Sequence, residues 1–246
     1  MLPGPPTKLK CPHCGGRKYI ESISSGNTLQ ARIWSDYKHE YPMLPHPSPI
    51  QRCPKCGKYY FYQDSIPKEN IFQWIGRQIE RFYINFIDDG TYVPKEQQEI
   101  DKNPDLREQI FLESHLNGFG NLSFDEMNEA YEQLFSSRLS EKKKQILIIE
   151  WLYAFNDHFN GRNQLVEWDI IPEKILERQQ IIIEEAIKRV DRDTIMVGEL
   201  YREAGRFEDC IKAIGDIAQY KGMDENLASM IIEHAQRADR RVFRIR

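Results

Sequence analysis

Four cysteines carry the clearest chemistry in this chain. Cys11 and Cys14 stand in CPHCG, and Cys53 and Cys56 stand in CPKCG. A Cys-x-x-Cys turn aims two sulfurs at one point, and two such turns complete a tetrahedral four-sulfur cage of the kind that suits Zn²⁺. Proline after the first cysteine and glycine after the second fit a tight turn that closes round an ion. A single Cys-x-x-Cys is also the pattern of a redox pair, but two CPxCG turns in one short stretch point to metal. The expectation is one structural zinc ion held by Cys11, Cys14, Cys53 and Cys56. Such a cage leaves no open coordination position for a substrate, so the chain reads as a binding protein without catalytic activity.

Other candidates for chemistry are weaker. His13, His39 and His46 lie near the knuckles in sequence, yet four sulfurs need no imidazole, and His13 inside its turn should point away from the ion. Glu150, Asp157 and His158 are acid–base material. His158 follows Trp151, Ala154 and Phe155 on an apolar face near a helix end, where a core or dipole-stabilising histidine is the commoner case. HExxH, GxSxG and the P-loop pattern are all missing from the sequence. Five cysteines, four of them in knuckles, argue for a reducing compartment, and Cys210 has no partner left for a disulfide framework, so the expectation is a cytoplasmic protein. No apolar run reaches the ~20 residues of a membrane span, and MLPGPPTKLK lacks the apolar centre of a secretory signal.

The elements that must position the cysteines can be read from periodicity. Residues 1–10, rich in Pro and Gly, read as a mobile arm. Residues 17–36 alternate in the manner of two strands about the Ser25-Gly26-Asn27 turn, which predicts a hairpin between the knuckles. Residues 42–49, PMLPHPSP, read as a proline-stiffened connector, and 58–63, KYYFYQ, as a third, aromatic strand. Two knuckles on a small three-stranded sheet make a zinc ribbon over residues 1–66. So small a domain takes much of its folding energy from metal.

From about residue 69 the period becomes helical. Ile71, Ile75, Ile79, Phe82 and Phe86 form one stripe, and Asn103-Pro104 opens a short helix with Leu106, Ile110 and Phe111 inside. NGFGN at 117–121 is a turn. Ser123 and Glu126 form a capping box, and Ser140 and Pro172 open further helices. Three more follow near 193–204, 207–221 and 224–240. No strand pattern appears after residue 63, so residues 67–246 read as an all-α domain of paired helices. The basic end, Arg237, Arg240, Arg241, Arg244 and Arg246, reads as a solvated helix terminus. The expected fold class is mostly α, with a small β zinc ribbon at the N-terminus.

The net charge of −4 is unevenly spread. Residues 1–68 carry ten Lys and Arg against four Asp and Glu, a formal +6, and the remainder carries −10. The ribbon also interleaves Tyr19, Trp34, Tyr37, Tyr41, Tyr59, Tyr60, Phe61 and Tyr62 with Lys10, Arg17, Lys18, Arg32, Lys38, Arg52, Lys55 and Lys58. Stacking platforms beside cations suit single-stranded nucleic acid. The same aromatics equally serve to fill a ribbon core, and opposite charge lets the two parts attract each other.

One stretch, GELYREAGRFEDCIKAIGDI, resembles a tetratricopeptide repeat. Gly198 and Tyr201 fall at the first-helix positions, Gly205 and Phe207 at the turn, and Cys210, Ile214 and Ile217 at inward positions of the second helix. Cys210 replaces the usual Ala and Gly222 the usual Pro, and no second copy follows at 34-residue spacing. The expected tetratricopeptide-like hairpin covers about 193–221. More broadly, SGNT at 25–28, WSD at 34–36 with Lys38, and PMLP at 42–45, all between two CPxCG knuckles, resemble a group of uncharacterised bacterial proteins that also end in such a hairpin. The resemblance implies the architecture and names no catalytic residue. The inter-knuckle segment is either a recognition surface, with Asn27, Trp34, Asp36 and Lys38 exposed, or structure, with Trp34 as a lid on the ribbon sheet. Helix pairs present grooves for peptides or partner helices, so the expected function is that of an adaptor for a protein partner. Nucleic-acid binding through the basic ribbon is the alternative.

Overall fold

The two knuckles are themselves hairpin turns. The computed structural model describes residues 2–29, 31–42, 46–66, 102, 122–159, 171–190 and 193–245. Strand β1 (Leu2–Lys10) runs into the first knuckle, which reverses the chain into β2 (Arg17–Ser25), and the two pair antiparallel with Lys10 opposite Arg17 and Leu9 opposite Lys18. The residues expected to form a mobile arm are thus a strand. The pairing register skips Pro5-Pro6, between Gly4 and Thr7, where two consecutive residues have no N–H to donate to a ladder. The second knuckle in the same way joins β5 (Ile50–Arg52) to β6 (Tyr59–Phe61). A single helical turn, α1 (Tyr62–Ser65), follows.

The expected three-stranded sheet with its hairpin between the knuckles is not what forms. The described strands make three separate two-stranded ladders, and β2 pairs backwards with β1 rather than forwards across Ser25–Asn27. The third ladder joins β3 (Arg32–Ile33) to β4 (His39–Glu40), both inside the inter-knuckle segment. The chain forms two compact units. One contains residues 2–27 and 46–66, and the other contains residues 28–42 and 123–245. Residues 28–42, which sit within the expected 1–66 ribbon, therefore group with the helices.

Within the second unit the helices follow the sequence signals closely. Helix α2 (Phe124–Phe135) begins at Ser123, whose hydroxyl accepts from the Glu126 N–H while the Glu126 carboxylate accepts from the Ser123 N–H. Helices α3 (Glu141–Phe159) and α4 (Glu173–Ile187) follow, the first with the Ser140 hydroxyl capping the Lys143 N–H. Helix α5 (Thr194–Glu203), capped by Asp193, turns into α6 (Phe207–Ile214). A 3₁₀ turn at Ile217–Gln219 leads to α7 (Met223–Gln236). Helix α6 ends well short of residue 221, at Gly215. The helices expected within 69–111 and the 117–121 turn lie outside the described residues, as do residues 43–45.

From α2 onward consecutive helices pack on one another, and α7 packs on both α5 and α6. Trp151 and Phe155 of α3 are fully buried, stack on each other, and meet Phe124 of α2 edge-on. Burial of each such ring contributes ~1.5–3 kcal/mol. The Trp151 indole N–H donates to Asn128 Oδ1 at 3.2 Å, so the ring is buried without an orphaned donor. A second core joins Ile195, Cys210, Ile214, Leu227, Ala228, Ile231 and Ala235.

Past α7 the chain does not remain a solvated helix end. Residues 239–245 turn back: Arg202, fully buried and paired bidentately with Glu199 at 2.6 and 2.7 Å, donates to the Asp239 and Arg241 carbonyls. Arg240 donates to the Glu203 carbonyl at 2.9 Å, and the Phe243 ring stacks on His234. Arg237, Arg241 and Arg244 remain exposed.

Gly198 marks the tightest helix crossing. A Cβ built there would lie 2.5 Å from Ile214 Cγ1 and 2.8 Å from its Cδ1. Ile214 is fully buried and β-branched, so it cannot move aside cheaply. Gly198→Ala should therefore destabilise the helical unit by ~1–3 kcal/mol. Cys210→Ala at the same crossing should cost about 1 kcal/mol or less. Denaturant melts followed by circular dichroism read both, and equal costs for the two would show that Gly198 is not the close contact.

Candidate metal centre

Each knuckle is held by the same pair of backbone bonds. Cys11 N–H donates to the Gly16 carbonyl at 2.8 Å and Gly15 N–H to the Cys11 carbonyl at 2.9 Å. In the second knuckle Cys53 N–H donates to Lys58 O and Gly57 N–H to Cys53 O, both at 2.9 Å. Gly15 and Gly57 take φ of +70° and +71°, the left-handed region in which a side chain is strained. This is the physical requirement behind the G of each CPxCG. Gly16 answers a different need, since a Cβ there would lie 3.2 Å from both Cys14 Sγ and Lys55 Cβ.

The two turns bring all four cysteines together. Their Sγ atoms lie within 4.8 Å of one another, with Cys11–Cys56 at 3.9 Å and Cys14–Cys53 at 3.6 Å. A regular tetrahedron with metal–sulfur bonds of ~2.3 Å has edges of about 3.8 Å, so the donor set has the size of a four-sulfur site. Cys11 and Cys53 are buried against Tyr60, while Cys14 and Cys56 are at the surface. Burial works to raise the Cys53 thiol, but the backbone N–H groups of Cys56 and Lys55, with the neighbouring thiols, outweigh it and bring it down to about 7. Burial pushes the Cys11 thiol up, and burial together with the four sulfurs pushes the Tyr60 phenol up. Two of the nearby histidines are engaged elsewhere. His13 hydrogen-bonds through Nε2 to the Tyr59 carbonyl at 3.2 Å, and His39 through Nδ1 to the Tyr41 hydroxyl at 2.9 Å.

The inter-knuckle segment has a different fate from either reading of it. Asp36 is buried, not exposed, and accepts at 2.9 Å from the Asn156 amide of α3. The same Asn156 nitrogen donates to Glu203 of α5 at 3.0 Å. Lys38 pairs with Asp157, and its ammonium lies 5.8 Å from the centre of the Tyr153 ring. Ser35 N–H donates to the Phe243 carbonyl at 2.9 Å, Phe243 N–H returns a bond to the Ser35 hydroxyl, and Trp34 bridges to Arg244. Trp34 thus groups with the helical unit. Only Asn27 of the four named residues is in the exposed class. Tyr37 holds φ of +61° and packs its ring against the second helical core. A non-glycine residue in that region persists only where its surroundings hold it.

Of the acid–base candidates, Glu150 and Asp157 come together on α3 around Lys38, whereas His158 stacks on Phe124 at 5.5 Å. Burial raises Asp157 despite the pull of Lys38. Burial, reinforced by Asp157 and opposed by Lys38, pushes Glu150 up to about 7. Cys210 is fully buried, and burial pushes its thiol up to about 12, as suits a packing residue. No family model matches the chain, and no curated protein or solved structure matches it.

The Glu150 shift has a sign that can be measured. Its folded value lies above the ordinary 4.5, so the native state keeps the proton to higher pH than the unfolded chain does. Stability contributed by the neutral acid is complete below pH 4.5 and is lost as pH rises to about 7, where a partly buried carboxylate remains. Glu150→Gln should be neutral near pH 4.5 and stabilising by roughly 1–3 kcal/mol at pH 8. Thermal melts at the two pH values test this, and a benefit equal at both would show that Glu150 ionises normally.

Proposed function

We propose that the protein is a zinc-binding adaptor, in which Cys11, Cys14, Cys53 and Cys56 hold one structural Zn²⁺ and the helical unit takes a protein partner. The observation that carries the metal is the four-sulfur set with edges of 3.6 and 3.9 Å on two glycine-bearing knuckles. All-sulfur donors favour Zn²⁺ over the harder divalent ions, and four of them fill its coordination, which suits structure over catalysis. The ion would add to the fold by tying the two knuckle hairpins together. The sequence likeness of α5 and α6 to a tetratricopeptide hairpin, with Gly198 at their crossing, supports a helical binding module. Ile181 and Met223, 63% and 64% exposed, and Ile211 leave apolar contacts on α4, α7 and α6 for a partner.

Nucleic-acid binding is the second reading, and one observation favours it. Lys10, Arg17, Arg52, Lys55 and Lys58 are all exposed on or beside the knuckles. Against it, Tyr59, Tyr60 and Phe61 are buried and offer no face for a base.

Purified protein should hold one zinc per chain by elemental analysis, and replacing Cys53 with Ser should abolish it. Metal absent from wild type, or nitrogen ligands in the absorption spectrum, would end the zinc reading. Titration with labelled single-stranded DNA and RNA at two salt concentrations separates the two functions. The adaptor reading expects no saturation below micromolar. Tight binding that weakens and loses its salt slope in an Arg17→Gln, Lys55→Gln, Lys58→Gln variant with intact zinc would replace it by the second.

A further inference from the structure

Residues 28–42 have two allegiances. In sequence they lie in the 38-residue stretch between Cys14 and Cys53. In space they complete the helical unit. Without them the buried Asn156 amide loses its Asp36 acceptor, the Ser35–Phe243 bonds that hold the C-terminal segment vanish, and the Tyr37 ring leaves the core around Cys210 and Ile214. Asp157 also loses Lys38. A buried polar group deprived of its partner is costly, so the helical unit needs this segment in place.

We propose that metal binding at the four cysteines stabilises the helical unit through residues 28–42, so that release of the ion loosens the hold of the segment on α3 and on residues 239–245. This rests on the reading of the four sulfurs as a metal site. The physical reason is chain entropy. Docking demands an ordered backbone, including the left-handed Tyr37 and the tight Trp34–Lys38 turn, in which Tyr37 N–H donates to Trp34 O and Trp34 N–H to Lys38 O. With the four sulfurs on one ion, both ends of the loop are pinned, and the undocked segment has fewer conformations to lose. When the ion leaves, the undocked state gains more freedom than the docked state, in which the segment is already held. Linkage makes the effect reciprocal: docking of the segment must raise metal affinity by the same factor. The result is a metal-sensitive device, in which the state of the sulfurs is read out at Ser35, Asp36 and Lys38.

The test uses the full chain as wild type, Lys38→Glu, which sets a third carboxylate against Glu150 and Asp157, and Lys38→Arg, which keeps the pair. Helical circular dichroism is followed through thermal unfolding with zinc and with excess chelator, and bound metal is measured in each sample. Chelation should lower the wild-type helical midpoint by roughly 5–10 °C. The drop should be much smaller in Lys38→Glu and unchanged in Lys38→Arg, and Lys38→Glu should bind zinc ~3–10-fold more weakly in chelator competition. Hydrogen exchange on wild type alone gives an independent reading should Lys38→Glu fail to fold. Chelation should speed exchange at the Ser35, Tyr37 and Ile245 amides by tenfold or more and leave α2 unchanged. A wild type that binds zinc yet shows the same midpoint and the same exchange without it overturns the inference and leaves the metal centre standing. Equal midpoint shifts in wild type and Lys38→Glu overturn it too, since the coupling would bypass the segment. A wild type that holds no metal overturns both.

Discussion

The structure depends on a stretch of chain that must satisfy two masters. Cys14 and Cys53 sit in the four-sulfur set, and the residues midway between them sit in the helical unit. The chain therefore leaves the first unit after residue 27 and returns to it after residue 42. A surface loop would make this excursion without consequence. This one carries a buried carboxylate, Asp36, whose desolvation is offset by bonds donated from the Asn156 amide and the Lys38 N–H. The segment is thus an internal component of the helical unit, and each unit inherits a constraint from the other through the covalent chain.

Buried polar groups add specificity to the apolar core of the second unit. Asp36, Asn156 and Glu203 share one amide nitrogen, and Arg202 is fully buried against Glu199 while its remaining donors hold the Asp239 and Arg241 carbonyls. A buried ion pair adds little net stability over a well-packed apolar pair, but leaving either member alone is costly. These bonds therefore select one arrangement. Together with the packing of Tyr37 and Phe243 on the second core, they hold the inter-knuckle segment and the chain after α7 in place.

The first unit works on a different principle. Its β5–β6 ladder is only three residues a side, and among the described residues its buried apolar side chains are few, chiefly Leu9, Ile20, Ile50 and Tyr59–Phe61. Here the knuckles organise the strands. Each fixes the chain reversal by two backbone bonds and a left-handed glycine, so β1–β2 and β5–β6 follow as the natural continuations of turns already made. Because Cys11 N–H and Gly16 O are bonded at the base of the first knuckle, the nearest partner for Arg17–Ser25 is the segment before Cys11. The register of that ladder, broken at Pro5-Pro6, shows a strand built from unpromising residues because its neighbour was delivered to it.

What the sequence by itself determined is local. The cysteine spacing and the knuckle glycines specify two turns and a shared sulfur site. Ser123 with Glu126 specifies the start of α2, and the Gly198 and Gly205–Phe207 pattern specifies the α5–α6 hairpin boundary. All of these express bonds between residues a few positions apart, or a single steric demand at one position. Only the tertiary structure decided the partner of β2, the docking of residues 28–42 on α3 and α5, and the return of residues 239–245. Those outcomes rest on pairs such as Asp36–Asn156, 120 positions apart, and Phe243–Ser35, 208 apart. An aspartate destined for burial and one destined for water look identical along the chain. The difference lies in whether a distant amide arrives to replace the water that burial removes.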